Sequence, residues 1–148
     1  MKPLNKFTIK FPSKSNNESF ARTVVSAFAA QLDPTIEEIS DIKTAVSEAV
    51  TNCIVHAYKN TVGEIYITCE QYDSGLVRIK IRDKGCGIED VKKAMEPLYS
   101  SGDGERAGLG FSVMESFMDG LRVSSRLGHG TTVTMKKILN VKKDAGQE

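Results

Sequence analysis

The sequence predicts a two-layer α+β sandwich, with a mixed but mostly antiparallel sheet and its helices on one face. Several stretches alternate apolar and polar residues with a period of two, as half-buried strands do. Between and around them, other segments repeat their apolar residues at helical spacing. A tight Asp73-Ser74-Gly75 joins two of the alternating stretches and reads as a hairpin turn.

Residues 6–11 open the sheet, with Phe7, Ile9 and Phe11 on one face and Lys6, Thr8 and Lys10 on the other. Lysines on that side suit an edge strand. Ser15-Asn16-Asn17-Glu18 has the spacing of a capping box and starts a helix carrying Phe20, Val24, Ala27, Phe28 and Leu32 at helical intervals. Asp33 as N-cap and Pro34 at the first helical position begin a second, longer helix, with Glu37 and Glu38 set against its positive end. Its stripe of Ile39, Ile42, Val46, Ala49, Val50, Cys53 and Ala57 should face the sheet. Residues 64–72 and 76–82 form the hairpin; a short helical pattern follows at 89–95, then a polar, glycine-containing loop at 97–106. A helix from about residue 108 to 118 packs Leu109, Phe111, Val113, Met114 and Phe117. Strands at 121–126 and 131–138 flank a turn at Leu127-Gly128-His129-Gly130. The chain divides into one domain, 1–140, and a polar tail, 141–148, expected to be disordered.

Composition narrows the function. Lys and Arg number 20 against 19 Asp and Glu, a formal charge of +1, which gives no support to an electrostatic nucleic-acid binder. No apolar run approaches the ~20 residues that cross a bilayer, and the N-terminus lacks a signal-peptide segment. Cys53, Cys69 and Cys86 are odd in number and show no CxxC spacing, against both a zinc knot and a disulfide framework. The expectation is a soluble cytoplasmic domain.

Four short patterns bear chemistry. Glu48 and Asn52, four apart on the second helix, stack at the margin of its apolar stripe. They are either a polar pair on a solvated flank or a carboxylate and amide that together hold a metal-bound water or ligand. Asp83-Lys84-Gly85-Cys86-Gly87 ends a strand with a carboxylate and two spaced glycines. That is either an ordinary turn or a pocket whose carboxylate accepts from an exocyclic amine while glycine admits a flat ligand. Gly108-Leu109-Gly110 opens a helix after a loop, as plain helix-start chemistry or as a phosphate cradle of free N–H groups. Gly130-Thr131-Thr132 by itself reads as a hairpin turn.

In that order the four patterns resemble the GHKL ATP-binding superfamily, which groups gyrase, histidine-kinase and MutL ATPase domains on the Bergerat fold. The resemblance covers about residues 7–138 and tightens at Asn17-Glu18-Ser19-Phe20-Ala21-Arg22, Gln31-Leu32-Asp33-Pro34-Thr35, Val46-Ser47-Glu48-Ala49-Val50-Thr51-Asn52 and Met114-Glu115-Ser116-Phe117-Met118-Asp119. There it is similar to the sporulation anti-sigma serine kinases. The resemblance implies ATP or ADP with Mg²⁺ as cofactor, and Asn52 as the Mg²⁺ ligand. Glu48 takes the place of the general base. It gives Asp83 the adenine amine, Gly85 and Gly87 the pocket wall, and Thr131 or Thr132 the adenine side. Gly108 and Gly110 fall to the phosphates, under a lid at 97–107 in which Arg106 is the candidate phosphate contact. The lid departs from the family in holding two glycines and no lysine in Ser100-Ser101-Gly102-Asp103-Gly104-Glu105.

The implied partners are a sigma factor of the sigma F type, bound and inhibited, and an anti-anti-sigma protein phosphorylated on serine. A homodimer is also implied, and neither nucleic acid nor membrane. Arg22, expected exposed on the first helix, is either a docking residue for these partners or a solvated charge. The alternative function is a nucleotide-switched binding module without phosphoryl transfer.

Overall fold

A computed structural model describes residues 2–96 and 104–139, for 104–108 as backbone alone. The tail beyond 139, residues 97–103 of the expected lid and the side chain of Arg106 lie outside the described residues. In chain order the elements are β1 (Asn5–Pro12), α1 (Asn17–Ala29), a 3₁₀ turn (Ala30–Leu32), α2 (Ile36–Asn52), a π-helical turn (Cys53–Ala57), β2 (Glu64–Gln71), β3 (Leu76–Asp83), α3 (Val91–Ala94), α4 (Gly104–Phe117), β4 (Gly120–Arg126) and β5 (Gly130–Ile138).

The strands form one sheet in the order β1-β2-β3-β5-β4. Every pairing among the described residues is antiparallel, so the parallel minority expected in a mixed sheet is absent there. The hairpin closes as expected: Gly75 adopts φ +88°, and its N–H donates to Tyr72 O at 3.0 Å. One face of the sheet presents Ile65, Ile67, Cys69, Val77, Ile79, Ile81, Val133 and Met135 to the core. The helices cover that face, with α2 packed between α1 and α4. The other face is polar, with Lys80, Arg82, Arg122 and Lys136 exposed on it.

The helix starts differ from expectation. Thr35, not Asp33, caps α2: its hydroxyl accepts from Glu38 N at 3.0 Å and Glu38 Oε1 accepts from Thr35 N at 2.9 Å. Asp33 sits in the left-handed region (φ +54°) as the C-cap of the preceding 3₁₀ turn, so Pro34 lies outside the helix. A Thr-x-x-Glu pair satisfies two helix-end donors reciprocally, which Asp33 cannot do from that conformation. At α1 the cap is Asn16, without a side-chain bond, and the Ser15–Glu18 box does not form; Ser15 accepts only through its carbonyl.

The buried stripe of α1 is also shifted. Ala21, Val25, Phe28 and Ala29 are buried while Phe20 is half exposed and Ala27 exposed. Phe28 sets this phase by standing edge-on to Phe7, ring centroids 4.8 Å apart, and the two alanines let α1 approach its neighbours closely. In α4, Phe111 and Met114 enter the core as expected, but Leu109 and Phe117 remain exposed.

Candidate functional site

Ala49, Asn52, Cys53, Asp83, Phe111 and Thr131 line a cavity of about 410 Å³ between α2, the ends of β3 and β5, and α4. Asp83 forms its floor. Alternation along β3 turns its side chain toward the helices, where the residue is only 5% exposed. Oδ1 accepts from Gly85 N at 2.9 Å and Thr131 N at 3.2 Å, and Oδ2 accepts from Cys53 Sγ at 3.5 Å. Burial pushes the carboxyl above its ordinary value, and these donors partly offset the rise. The carboxylate thus has a fixed rotamer, and among the described residues no main-chain group engages Oδ2.

The glycines of this end are required by close packing. A Cβ on Gly85 would stand 2.4 Å from Ala57 O. Gly87 has φ +75°, and a Cβ there would fall 2.2 Å from Arg126 O. Cys86 N donates to Ala57 O at 3.1 Å, and Gly128 N to Cys86 O at 2.7 Å. The Gly85–Gly87 turn is therefore clamped between the end of the π turn and the β4–β5 turn. Gly87 lines the cavity; Gly85 shapes it from behind. Of the two threonines, Thr131 lines the cavity. Thr132 points to the opposite face beside Arg82 and Ser124, because neighbours on a strand alternate, and it takes no part.

On α2, Asn52 lines the cavity, and Glu48, one turn earlier, stands beside it without lining the cavity. Gly110 lies directly over them: a Cβ there would stand 3.2 Å from both Glu48 Oε2 and Asn52 Oδ1. A side chain there would press on the two groups and shift them by a few tenths of an ångström, so glycine leaves them undisturbed. Asn52 Nδ2 is buried and has no hydrogen-bond partner among the described residues. A half-turn of the carboxamide exchanges its unpaired end, so a polar ligand at this margin would satisfy an amide the fold leaves unmet.

Gly108 and Gly110 do not open the helix, however. The described α4 begins at Gly104, four residues before Gly108, and Glu105-Arg106-Ala107 are residue types that favour helix. Gly108 and Gly110 then lie within α4 rather than at its N-terminal end, so a free-amide cradle is not what the described backbone presents there.

Arg22 is half-buried rather than exposed. Its guanidinium donates to Glu18 Oε1 at 3.4 Å, Ser19 Oγ at 3.4 Å and Ser47 Oγ at 3.3 Å. With Ser40, Lys43, Thr44 and Ser47 it lines a second concavity of about 500 Å³ that includes Glu48.

Two site residues carry no signal of their own in the sequence. Ser125 accepts from Ile88 N at 2.8 Å, donates to Gly130 O at 3.0 Å and shares a 2.8 Å hydrogen bond with the Thr131 hydroxyl, so it fixes both the pocket turn and the threonine. Tyr58 bridges the end of the π turn to the sheet: its hydroxyl donates to Glu64 O and accepts from Lys84 N, both at 2.6 Å. Cys53 was legible only as a member of the apolar stripe.

The family model of the histidine kinase-like ATPase domain matches residues 11–137. The chain is 61% identical over 136 residues to an anti-sigma F factor from Caldanaerobacter subterraneus subsp. tengcongensis, covering 91% of this chain and 94% of that one. It is 60% identical over 139 residues to an anti-sigma F factor from Clostridium botulinum, covering 93% and 96%. The fold is shared with the solved RsbU and RsbW domains of a Mycobacterium tuberculosis protein, at TM-score 0.68 and 22% identity, over 93% of this chain and 33% of that one.

Proposed function

Because the chain belongs to the histidine kinase-like ATPase domain family, and within it to the anti-sigma F factors, we propose that it binds and inhibits a sigma factor of the sigma F type. We further propose that it uses ATP to phosphorylate a serine of an anti-anti-sigma partner and so inactivates that partner. The observation that carries this reading is the convergence on one cavity of a buried, hydrogen-bonded carboxylate, Asp83, and an unmet buried amide, Asn52, with Glu48 beside that amide.

In this reading the cavity takes ATP with the base toward Asp83 and the phosphates toward Asn52. Asp83 Oδ2 accepts the exocyclic amine of adenine, while Gly85 N–H and Thr131 N–H hold the carboxylate in place. Asn52 is the residue that would hold Mg²⁺, through its side-chain oxygen, while its unmet Nδ2 is a donor that suits a phosphate oxygen. Bound Mg²⁺ would supply charge neutralisation for the phosphates.

Glu48 orients the acceptor hydroxyl and takes its proton as the serine oxygen bonds the γ-phosphorus and the bond from that phosphorus to the bridging oxygen breaks, releasing ADP. Gly110, against Glu48 and Asn52, keeps that space free of side chains; Arg106 serves the phosphates from the same helix, and Gly108, inside α4, offers them no free amide. Arg22, tied to Ser47 one residue before Glu48, lines the approach to Glu48 and docks the partner. The active form is a homodimer.

The test is incubation with γ-labelled ATP, Mg²⁺ and the anti-anti-sigma protein. Label should appear on a partner serine, and Glu48→Gln should lower its rate by roughly 100-fold or more while ADP still binds. Transfer unchanged in Glu48→Gln would remove Glu48 from the mechanism. Nucleotide-dependent sigma binding with no transfer at all would instead identify a nucleotide-switched binding module. Arg22→Ala should weaken binding of sigma and of the substrate protein; binding untouched by that change would end its docking role.

A further inference from the structure

The two oxygens of Asp83 are not equivalent. Oδ1 accepts from two main-chain N–H groups, Gly85 and Thr131, which uses the lone-pair capacity of a carboxylate oxygen. Oδ2 has, among the described residues, one protein donor, the thiol of Cys53, 3.5 Å away, and both residues line the cavity. Cys53 is 4% exposed, begins the π turn and lines the same cavity as Asp83. A thiol is a weak donor compared with a hydroxyl. It therefore accompanies Oδ2 without claiming it, and leaves acceptor capacity for a ligand.

We propose that Cys53 is a specificity-determining residue of the base subsite. Its thiol, a weak donor, leaves Asp83 Oδ2 a strong acceptor for an exocyclic amine, where a hydroxyl in the same place would share that oxygen and weaken it. The proposal rests on the reading of Asp83 as the acceptor for adenine. Its consequence is chemical: the preference for a 6-amino purine over a 6-oxo purine depends on position 53 placing no strong donor against that oxygen.

The experiment is calorimetric titration of the full chain with ADP and with inosine diphosphate, which replaces the amine by a carbonyl. Wild type should prefer ADP. Cys53→Ser should lose roughly threefold to tenfold in ADP affinity, the worth of one contested hydrogen bond. Its affinity for inosine diphosphate should not fall. Cys53→Ala, which removes the thiol without adding a competitor, should keep the preference for ADP.

Equal losses for both ligands in Cys53→Ser would mark a packing role and overturn the proposal, as would no change for either. Should Cys53→Ser not fold, a collapse of the ADP preference in Cys53→Ala would overturn it independently. Asp83→Asn separates the underlying reading: if that variant keeps the wild-type preference, Asp83 does not read the amine. If Asp83→Asn abolishes the preference and Cys53→Ser does not reduce it, Cys53 alone is at fault.

Discussion

Asp83 shows how one side chain is set between stability and binding. Its burial disfavours the ionised form, so the folded carboxyl titrates above the ordinary value of 3.8. The folded state then holds its proton more tightly than the unfolded chain does. Asp83's contribution to stability is therefore most favourable below the ordinary value and declines as pH rises to the raised one. Under the proposed reading of Asp83 as the adenine acceptor, binding has the opposite sign, because the ionised form accepts the amine more strongly. Across that window ADP affinity should climb with pH while the stability difference between wild type and Asp83→Asn shifts against wild type. Melting curves and titrations on both proteins check the two slopes. At pH 7, Asp83→Asn should cost roughly tenfold to a hundredfold in ADP affinity, the range for a hydrogen bond to a charged group. At this scale the sequence is readable where geometry demands a residue type: Asp83 at a strand end, Gly85 and Gly87 after it. Ser125 and Cys53 are not, since serine on a strand and cysteine in an apolar stripe are unremarked until register and helix phase bring them to Thr131 and Asp83.

The elements were legible by their period and less so by their ends. Every strand expected from alternation is present, and α2 turns the expected stripe inward. The sequence alone does not fix the cap, because Asp33 and Thr35 offer competing N-cap signals two residues apart, and reciprocal bonding with Glu38 decides between them. Thr35→Ala should thus cost about 1 kcal/mol, while Asn16→Ala, with no side-chain bond to lose, should stay within about 0.5 kcal/mol; denaturant melts of the two variants compare them directly. The phase of α1 escaped a pattern reading because Phe20 and Phe28 both fit a helical repeat, and docking on Phe7 selects Phe28. Gly87→Ala tests the turn that joins β3 to the cavity. A left-handed backbone together with a Cβ 2.2 Å from Arg126 O should cost roughly 2–3 kcal/mol and reduce nucleotide binding beyond what lost stability explains.

At the scale of the molecule, a buried cation joins the layers. Lys137 Nζ donates to Asp41 Oδ2 at 3.0 Å and to Phe117 O at 2.7 Å, pinning β5 to α2 and to the C-terminal end of α4 at once. Its ammonium also complements the negative end of α4. Lys137→Met leaves the Asp41 carboxylate without its partner and should cost about 3 kcal/mol; pairing it with Asp41→Asn should recover part of that loss, which a double-mutant cycle by chemical denaturation measures. None of this was visible in the sequence, where Lys137 follows Lys136 and the pair looks like a solvated charge run. The π turn has a different kind of consequence. Tyr58 N bonds Cys53 O across the widened loop at 3.1 Å, and this places Ala57 O where Cys86 N can reach it. Removing one residue from 53–57 would restore the α-helical ladder and swing the following residues by about 100°, parting the helix from the pocket turn. Beyond Cys53, this stretch should accept changes of letter more readily than of length: as genes drift, it is respelled but never shortened, and a library of single-residue deletions would show a gap at these codons.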